Sequence, residues 1–374
     1  MIQAGILGGG QLGRMLLQQS ANYPVVTHVI DADPSCPAAH LCHHFRKGSI
    51  TSFDDVYEFG KGLDVITVEI ERVNVDALEK LEAEGVRVIP GSHVLRTLQN
   101  KILQKEFYRD HGILSSEFIV TQNKNEILQH KDLLPAVHKA ATGGYDGRGV
   151  QVIADESAVT LGFDEAAILE KQVDISREIS ILVAVSQSGA FKLFPPVDMI
   201  FDPDLNLVSY QLAPAELPEK TLWKAEALAL GVAKAFKSPG LFAVELFIDN
   251  KEQVLVNETA PRVHNSGHQS IEGNYCSQFD MLWRILLNYP LGHTDHIMPA
   301  AMVNIIGAPG HSGPVYYRGL EDVLKIENAF VHLYGKAETR PGRKMGHVTI
   351  LSPDKQDLIY KCNLVKRTLF AETK

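Results

Sequence analysis

The chain has 374 residues and a formal net charge of −9, with 45% hydrophobic and 22% charged residues, a globular composition too long for one ordinary core and suited to two or three domains. No apolar run approaches the roughly 20 residues that span a bilayer, and no Lys/Arg run supplies a nucleic-acid footprint. The expected partners are therefore small molecules, with no nucleic acid and no membrane.

The opening MIQAGILGGGQLG runs straight into a predicted strand and lacks the basic region and cleavage site of a signal peptide. Cys36, Cys42, Cys276 and Cys362 form no CxxC pair, as expected of reduced thiols in a cytoplasmic protein. AGILGGG reads as a strand, QLGRMLLQQSA as a helix, VVTHVIDAD as a second strand closing on acids and DVITVEIE as a third. Such βαβ alternation predicts a parallel sheet with ligands at the carboxyl ends of its strands. His40, Cys42, His43 and His44 cluster between these elements, but without tetrahedral ligand spacing they read as a loop. SHVLRTLQNKILQKEFYRDHGI reads as one or two helices stopped at Gly112.

Beyond Gly112, PAVHKA and VQVIAD flank TGGYDGRG, the pattern of a hairpin with a mobile tip. EISILVAVS, FKLFPPVDMIF, LFAVELFID and QVLVNETA follow as strands of an antiparallel or mixed sheet, with WKAEALALGVAKAF as a helix between them. From about Pro299, AMVNIIGAP, AFVHLYG and KMGHVTILS read as a small β-rich appendage. The expected boundaries are residues 1–95, 96–295 with a lid at about 115–172, and 296–374.

Gly8, Gly10 and Gly13 make GxGxxG at a strand-to-helix junction, where the backbone can approach a phosphate, and Asp31 follows at a distance suited to a ribose hydroxyl. Alone, this is a dinucleotide fingerprint, and an NAD(P)-dependent Rossmann dehydrogenase stays open on it. No GxxxxGK[ST] occurs, so ATP would be held differently. The stronger signal is Lys139 followed by Gly143, Gly144, Gly147 and Gly149 around Tyr145, Asp146 and Arg148. Glycines at that density destabilise a chain unless it bends over a ligand that their amides cradle.

Glu245 and Glu258 end adjacent apolar strands, and two carboxylates projecting together need a cation, for which magnesium is the natural candidate, with Asn257 as a further oxygen donor. APRVHNSGH then places Arg262, His264, Asn265, Ser266 and His268 where donors suit a small oxyanion. Zinc at His264 and His268 would need an HExxH glutamate or a third ligand, and neither is near.

Taken together, GxGQLGRM, the acidic Glu69-Ile70-Glu71, GGYDGRG, NETAPRVHNSGH and RPGRKMGH closely resemble the N5-carboxyaminoimidazole ribonucleotide synthase family of ATP-grasp enzymes over nearly the whole chain. The fold implied is α/β: a doubly wound, Rossmann-like amino-terminal domain, an ATP-grasp domain with its lid and a small β-rich carboxyl-terminal domain. The activity implied is ATP- and bicarbonate-dependent carboxylation of 5-aminoimidazole ribonucleotide through carboxyphosphate, in purine biosynthesis.

By the same resemblance, Lys101 and Lys139 contact the ATP phosphates, and Gly144, Tyr145, Asp146, Gly147, Arg148, Gly149 and Val150 close over them. Glu170, Lys171, Gln172 and Val173 form the adenine hinge, Glu178 holds the ribose, and Asn257 and Glu258 complete the nucleotide site. Glu245 and Glu258 bind Mg2+; Arg262, His264 and Asn265 face bicarbonate or carboxyphosphate, with Asp146 acting on the amine. Gly10, Gln11, Leu12, Glu69, Tyr145, Asp146, Arg148, Arg340, Arg343 and Lys344 surround the ribonucleotide. A homodimer and coupling to the mutase that consumes the product are also implied. The chain departs from the family pattern at Ala140 and Ala141, where many members carry arginines, and at Met199, Ile200 and Phe201, where many carry Asn-x-His. Formate-dependent glycinamide ribonucleotide transformylase and biotin carboxylase are the rivals within the fold, and a noncatalytic nucleotide sensor is a rival outside catalysis.

Overall fold

The computed structural model describes residues 1–143, 149–202 and 207–374. The first hundred residues form β1 (Ile2–Leu7), α1 (Gln11–Ser20), β2 (Val25–Asp31), β3 (His44–Lys47), α2 (Phe53–Gly60), β4 (Val65–Val68), α3 (Val75–Ala83) and β5 (Arg87–Val88); β1, β2 and β4 are the apolar runs, whereas β3 is polar and largely exposed and β5 has two residues. All four pairings are parallel, in the order β3-β2-β1-β4-β5. Core residues of α1 and those of α2 and α3 belong to separate apolar clusters, each of which also includes residues of β1, as expected of a doubly wound sheet. His43 and His44 have local roles here, His43 bonding Thr27 and His44 stacking on the His28 ring.

Two helices, α4 (Ser92–Leu98) and α5 (Lys101–Asp110), follow, and Asn100 caps α5 by accepting from Ile102 N and Leu103 N. A four-stranded antiparallel sheet then forms from β6 (Phe118–Thr121), β7 (Ala136–Ala140), β8 (Val150–Ile153) and β9 (Ala167–Lys171), in the order β6-β9-β7-β8. The predicted glycine hairpin is the β7–β8 connection. Its tip, including Gly144, Tyr145, Asp146, Gly147 and Arg148, lies outside the described residues.

The largest sheet has nine strands. Its grasp portion comprises β10 (Ile175–Val185), β11 (Phe191–Leu193), β12 (Val197–Asp202), β13 (Leu207–Ala213), β14 (Gly240–Asp249) and β15 (Val254–Ala260). Helix α6 (Glu219–Ala235) covers one face of β10, β14 and β15. α7 (Ser270–Gly273) and α8 (Gln278–Leu286) follow β15, and α8 packs on α1 of the first domain.

The longer of the last strands extend the nine-stranded sheet, while the short ones pair among themselves in two two-stranded sheets. β16 (Ala300–Ile306) pairs with β13 and so lengthens the same ladder. Short strands β17 (Gly313–Pro314) and β18 (Tyr316–Arg318) and the helix α9 (Leu320–Val323) precede β19 (Ala329–Leu333), β20 (Glu338–Thr339) and β21 (Lys344–Leu351). The continuous path is β15-β14-β10-β12-β13-β16-β21-β19, with β11 on β10. A 14-residue helix, α10 (Lys355–Thr368), precedes β22 (Phe370–Glu372) and was absent from the sequence reading. Among the described residues no helix is long and apolar enough to cross a membrane.

Candidate functional site

The glycine turn after β1 is closed by acids from its own domain. Glu69, just past β4, accepts from Gly10 N at 2.9 Å and Leu12 N at 3.2 Å, while Asp31 Oδ2 accepts from Gly9 N at 2.7 Å. Gly10 starts α1 without a side-chain cap, so Glu69 caps the helix from another strand. A Cβ at Gly10 would lie 2.4 Å from Glu69 Oε1, so a side chain there would displace the capping carboxylate. By the family resemblance Gly10, Gln11 and Leu12 surround a phosphorylated ligand. In the structure the Gly10 and Leu12 amides are already committed, and the loop presents carboxylates, a surface for hydroxyl groups more than for phosphate. Burial pushes Glu69 above the usual carboxylate range, against the pull of these amides and of Arg262.

Opposite this domain, α5 and β7 bring two lysines to the carboxylates of β15 and β9. Lys101 Nζ is 2.5 Å from Glu258 Oε2; Lys139 Nζ is 2.6 Å from Glu170 Oε2 and donates to Asn257 Oδ1 at 3.1 Å. Glu170, which the family resemblance puts in the adenine hinge, has a buried carboxylate paired with lysines. The amides of Lys171 and Gln172 are also committed, to Glu117 O at 2.9 Å and Pro135 O at 3.0 Å, so these two residues offer other atoms to a base. Glu178, on β10, is pushed up to about 7 by burial, with Lys139 pulling the other way. Ala140 and Ala141 are buried, and Ala141 O accepts from Lys101 N at 2.8 Å. Met199 is buried beside Gln211 in the register of β12 and β13.

Glu245 on β14 and Glu258 on β15 face one another across the ladder. The register passes from Glu245↔Glu258 to Leu246↔Val256, so Asn257 is the extra residue of a β-bulge. The bulge explains how neighbouring Asn257 and Glu258 reach different lysines. Burial, then the charges of Glu258 and Glu178, pushes Glu245 far above its ordinary value, whereas Lys101 holds Glu258 low against burial. A divalent cation would remove that conflict. Among the described residues no group of three His, Cys, Asp or Glu could hold a metal; a pair of carboxylates that leaves the remaining positions to phosphate and water fits Mg2+.

Past β15, Arg262 Nε is 2.9 Å from Glu71 Oε1, which ties the grasp sheet to the first domain. His264 Nε2 lies 3.6 Å from Glu245 Oε1 and its Nδ1 is 2.9 Å from Ser266 Oγ. Asn265 exchanges hydrogen bonds with Asn304 of β16 at 2.9 and 3.2 Å. His268 is buried, bonded to Gln278, with its ring tilted against that of His347; burial and the surrounding cations and imidazoles hold it well below the ordinary imidazole range.

In the carboxyl-terminal motif the three cations diverge. Lys344 starts β21 and acts electrostatically on Glu245 and His268. Arg343 donates to Glu338 O at 2.6 Å and lies near enough to Asp33, past β2, to help lower its carboxyl after the larger effect of Ser35. Arg340 is exposed. Lys336 donates to Lys344 O at 2.6 Å and sits over the Tyr334 ring. Neither it nor Lys105, whose Nζ is 2.7 Å from Glu170 Oε1, was singled out in the sequence. For Lys105 a signal existed, since it follows Lys101 by four residues on one helix face.

Three stretches match known domain families: residues 1–99 the ribonucleotide synthetase preATP-grasp domain, 106–279 the ATP-grasp domain and 300–361 the phosphoribosylaminoimidazole carboxylase C-terminal domain. The chain is 33% identical to N5-carboxyaminoimidazole ribonucleotide synthase of Aquifex aeolicus, over 98% of this chain and 96% of that one. It superposes with a TM-score of 0.93 and 34% identity on the N5-carboxyaminoimidazole ribonucleotide synthetase structure from Thermotoga maritima, covering 100% of both. An Aspergillus clavatus synthase in complex with ADP and 5-aminoimidazole ribonucleotide gives 0.88 at 30% identity, over 98% of each chain. Against the chloroplastic phosphoribosylaminoimidazole carboxylase of Vigna aconitifolia, at 35% identity, the chain spans 64% of that protein's length.

Proposed function

The chain belongs to the N5-carboxyaminoimidazole ribonucleotide synthase family of ATP-grasp enzymes, and from that premise we propose that it carboxylates the exocyclic amine of 5-aminoimidazole ribonucleotide with ATP and bicarbonate. The observation that carries the reading is the convergence of Lys101, Lys139, Glu245 and Glu258 beside Arg262 and His264. Cations for a triphosphate, a carboxylate pair and donors for an oxyanion meet around the β14–β15 pairing, where Glu245 and Glu258 lie within the strands and not at their ends as the sequence suggests.

Bicarbonate is a poor electrophile. Attack of its oxygen on the γ-phosphorus of ATP releases ADP and gives carboxyphosphate, and attack of the amine on the carboxyl carbon then expels phosphate. The amine proton passes to a base, a role assigned to Asp146. Lys101 and Lys139 neutralise phosphate charge, while Arg262, His264 and Asn265 orient the oxyanion. Glu245 and Glu258 would hold Mg2+, which when bound supplies further neutralisation of the phosphates. Residues 144–150 exclude water from an intermediate that water destroys. Glu69 accepts ribose hydroxyls of the ribonucleotide, Gln11 lies beside them, and Tyr145, Arg148, Arg340, Arg343 and Lys344 bind the remainder. The working enzyme is a cytoplasmic homodimer whose product passes to a mutase.

The direct test is ADP release. Turnover is expected only when Mg2+, bicarbonate and 5-aminoimidazole ribonucleotide are all present; turnover on glycinamide ribonucleotide with formate would replace the substrate assignment, and binding of NAD(P)H in a fluorescence titration would replace the reaction class.

Loss of one charge-assisted bond should appear as a KM effect. Lys344→Ala or Arg343→Ala is expected to raise KM for the ribonucleotide by roughly tenfold, with KM for ATP nearly unchanged. Weaker ATP binding, or no effect on either substrate, would reduce that turn to surface charge.

A further inference from the structure

Lys105 is only 1% exposed, yet it takes part in an ion pair. Its Nζ lies 2.7 Å from Glu170 Oε1 and donates to Ser116 Oγ at 3.2 Å. The other oxygen of Glu170 is 2.6 Å from Lys139 Nζ, so one buried carboxylate holds two ammonium groups. For the stability of Glu170 alone the second lysine is superfluous, because a buried carboxylate with one close cation is already paired. Desolvating another ammonium is costly, and burial does pull Lys105 below the ordinary lysine range, with Glu170 only partly offsetting it.

The arrangement has a direction. The Lys105 side chain is 2% exposed and that of Lys139 is 12% exposed, so Lys105 approaches Glu170 from the closed side and Lys139 from the open one. With Lys139 as sole partner, Glu170 would hold it in a neutral, closed pair. With both lysines present the carboxylate is shared, the group carries one net positive charge, and the excess falls on the side where Lys139 meets Asn257 Oδ1.

We propose that Lys105 is a positioning residue of the nucleotide site: by neutralising Glu170 from the closed side, it leaves the Lys139 ammonium available to a nucleotide phosphate. The inference rests on the reading of Lys139 as a phosphate ligand given above. A simple packing role for Lys105 makes a different prediction, because packing lost with Lys105 is not restored by removing its partner's charge.

The test is ADP affinity by calorimetry, together with steady-state kinetics, on the full chain. Lys105→Met is expected to weaken ADP and raise KM for ATP by roughly tenfold, with KM for the ribonucleotide unchanged. Combining it with Glu170→Gln removes the carboxylate that sequesters Lys139, and ADP affinity should return to within about threefold of the parent. Lys105→Gln, a polar neutral replacement, should weaken ADP as Met does and serves if the Met variant does not fold. Unchanged ADP affinity in the single variants, or a double variant no tighter than the single, overturns the proposal. Lys139→Met separates the two levels: if it weakens ADP while the Lys105 variants do not, only this inference fails, and if it too has no effect, the reading of Lys139 as a phosphate ligand fails with it.

Discussion

Glu258→Gln is expected to lower kcat by about a hundredfold or more while the protein remains folded. The substitution keeps size and hydrogen-bonding reach but removes the charge that lies 2.5 Å from Lys101 Nζ and opposite Glu245. Lys101 then faces a neutral amide, and the carboxylate pair loses the member held ionised. Glu245→Gln removes the carboxylate facing Glu258 and should likewise lower kcat. Rapid-quench measurement of ADP formation in a single turnover separates this from slow product release. Undiminished turnover at saturating Mg2+ would remove Glu258 from the phosphate site.

Arg262→Ala should reduce kcat/KM for bicarbonate by about two orders of magnitude, the usual cost of deleting a donor to a developing oxyanion. Lysine should not restore it, since a point charge cannot reproduce the planar, forked guanidinium. Arg262 also spans two domains through Glu71, so a purely structural role needs exclusion. Glu71→Gln breaks the same contact and leaves the guanidinium in place, and it is expected to cost far less activity than Arg262→Ala. Equal losses in the two variants, or a thermal shift without a change in kcat/KM, would make Arg262 an interdomain strut.

Much of the architecture was legible because its signals are local. The amino-terminal sheet followed from apolar runs alternating with helical spacing, and the hairpin from glycines between two strand patterns. Helix α10 had a legible signal too: Leu358, Cys362 and Val365, all buried, recur at helical spacing, but the short strands before them drew the reading towards β structure. What stayed hidden depends on distant partners. Glu69 caps α1 across 59 residues, the bulge at Asn257 exists only in the register of β14 with β15, and Glu170 reads as a strand residue until its two lysines arrive from α5 and β7. The family resemblance supplied the adenine-hinge and ribose roles, which spacing alone did not, whereas the cation was suggested by the carboxylate pair itself.

The unbroken ladder from β15 to β21 bears on motion. Glu258 and Lys344 stand on two strands of one sheet, with every strand between them hydrogen-bonded to the next. A hinge that separated the carboxylates from that lysine would have to tear a backbone ladder. The four-stranded β6-β9-β7-β8 sheet shares no strand with this ladder, and the segment leading into it meets β15 through the bridge between Ser115 and Val256. The parallel amino-terminal sheet is likewise separate. Any relative motion that leaves the strand pairing intact therefore lies between the sheets, and Glu258 and Lys344 stay on one of them.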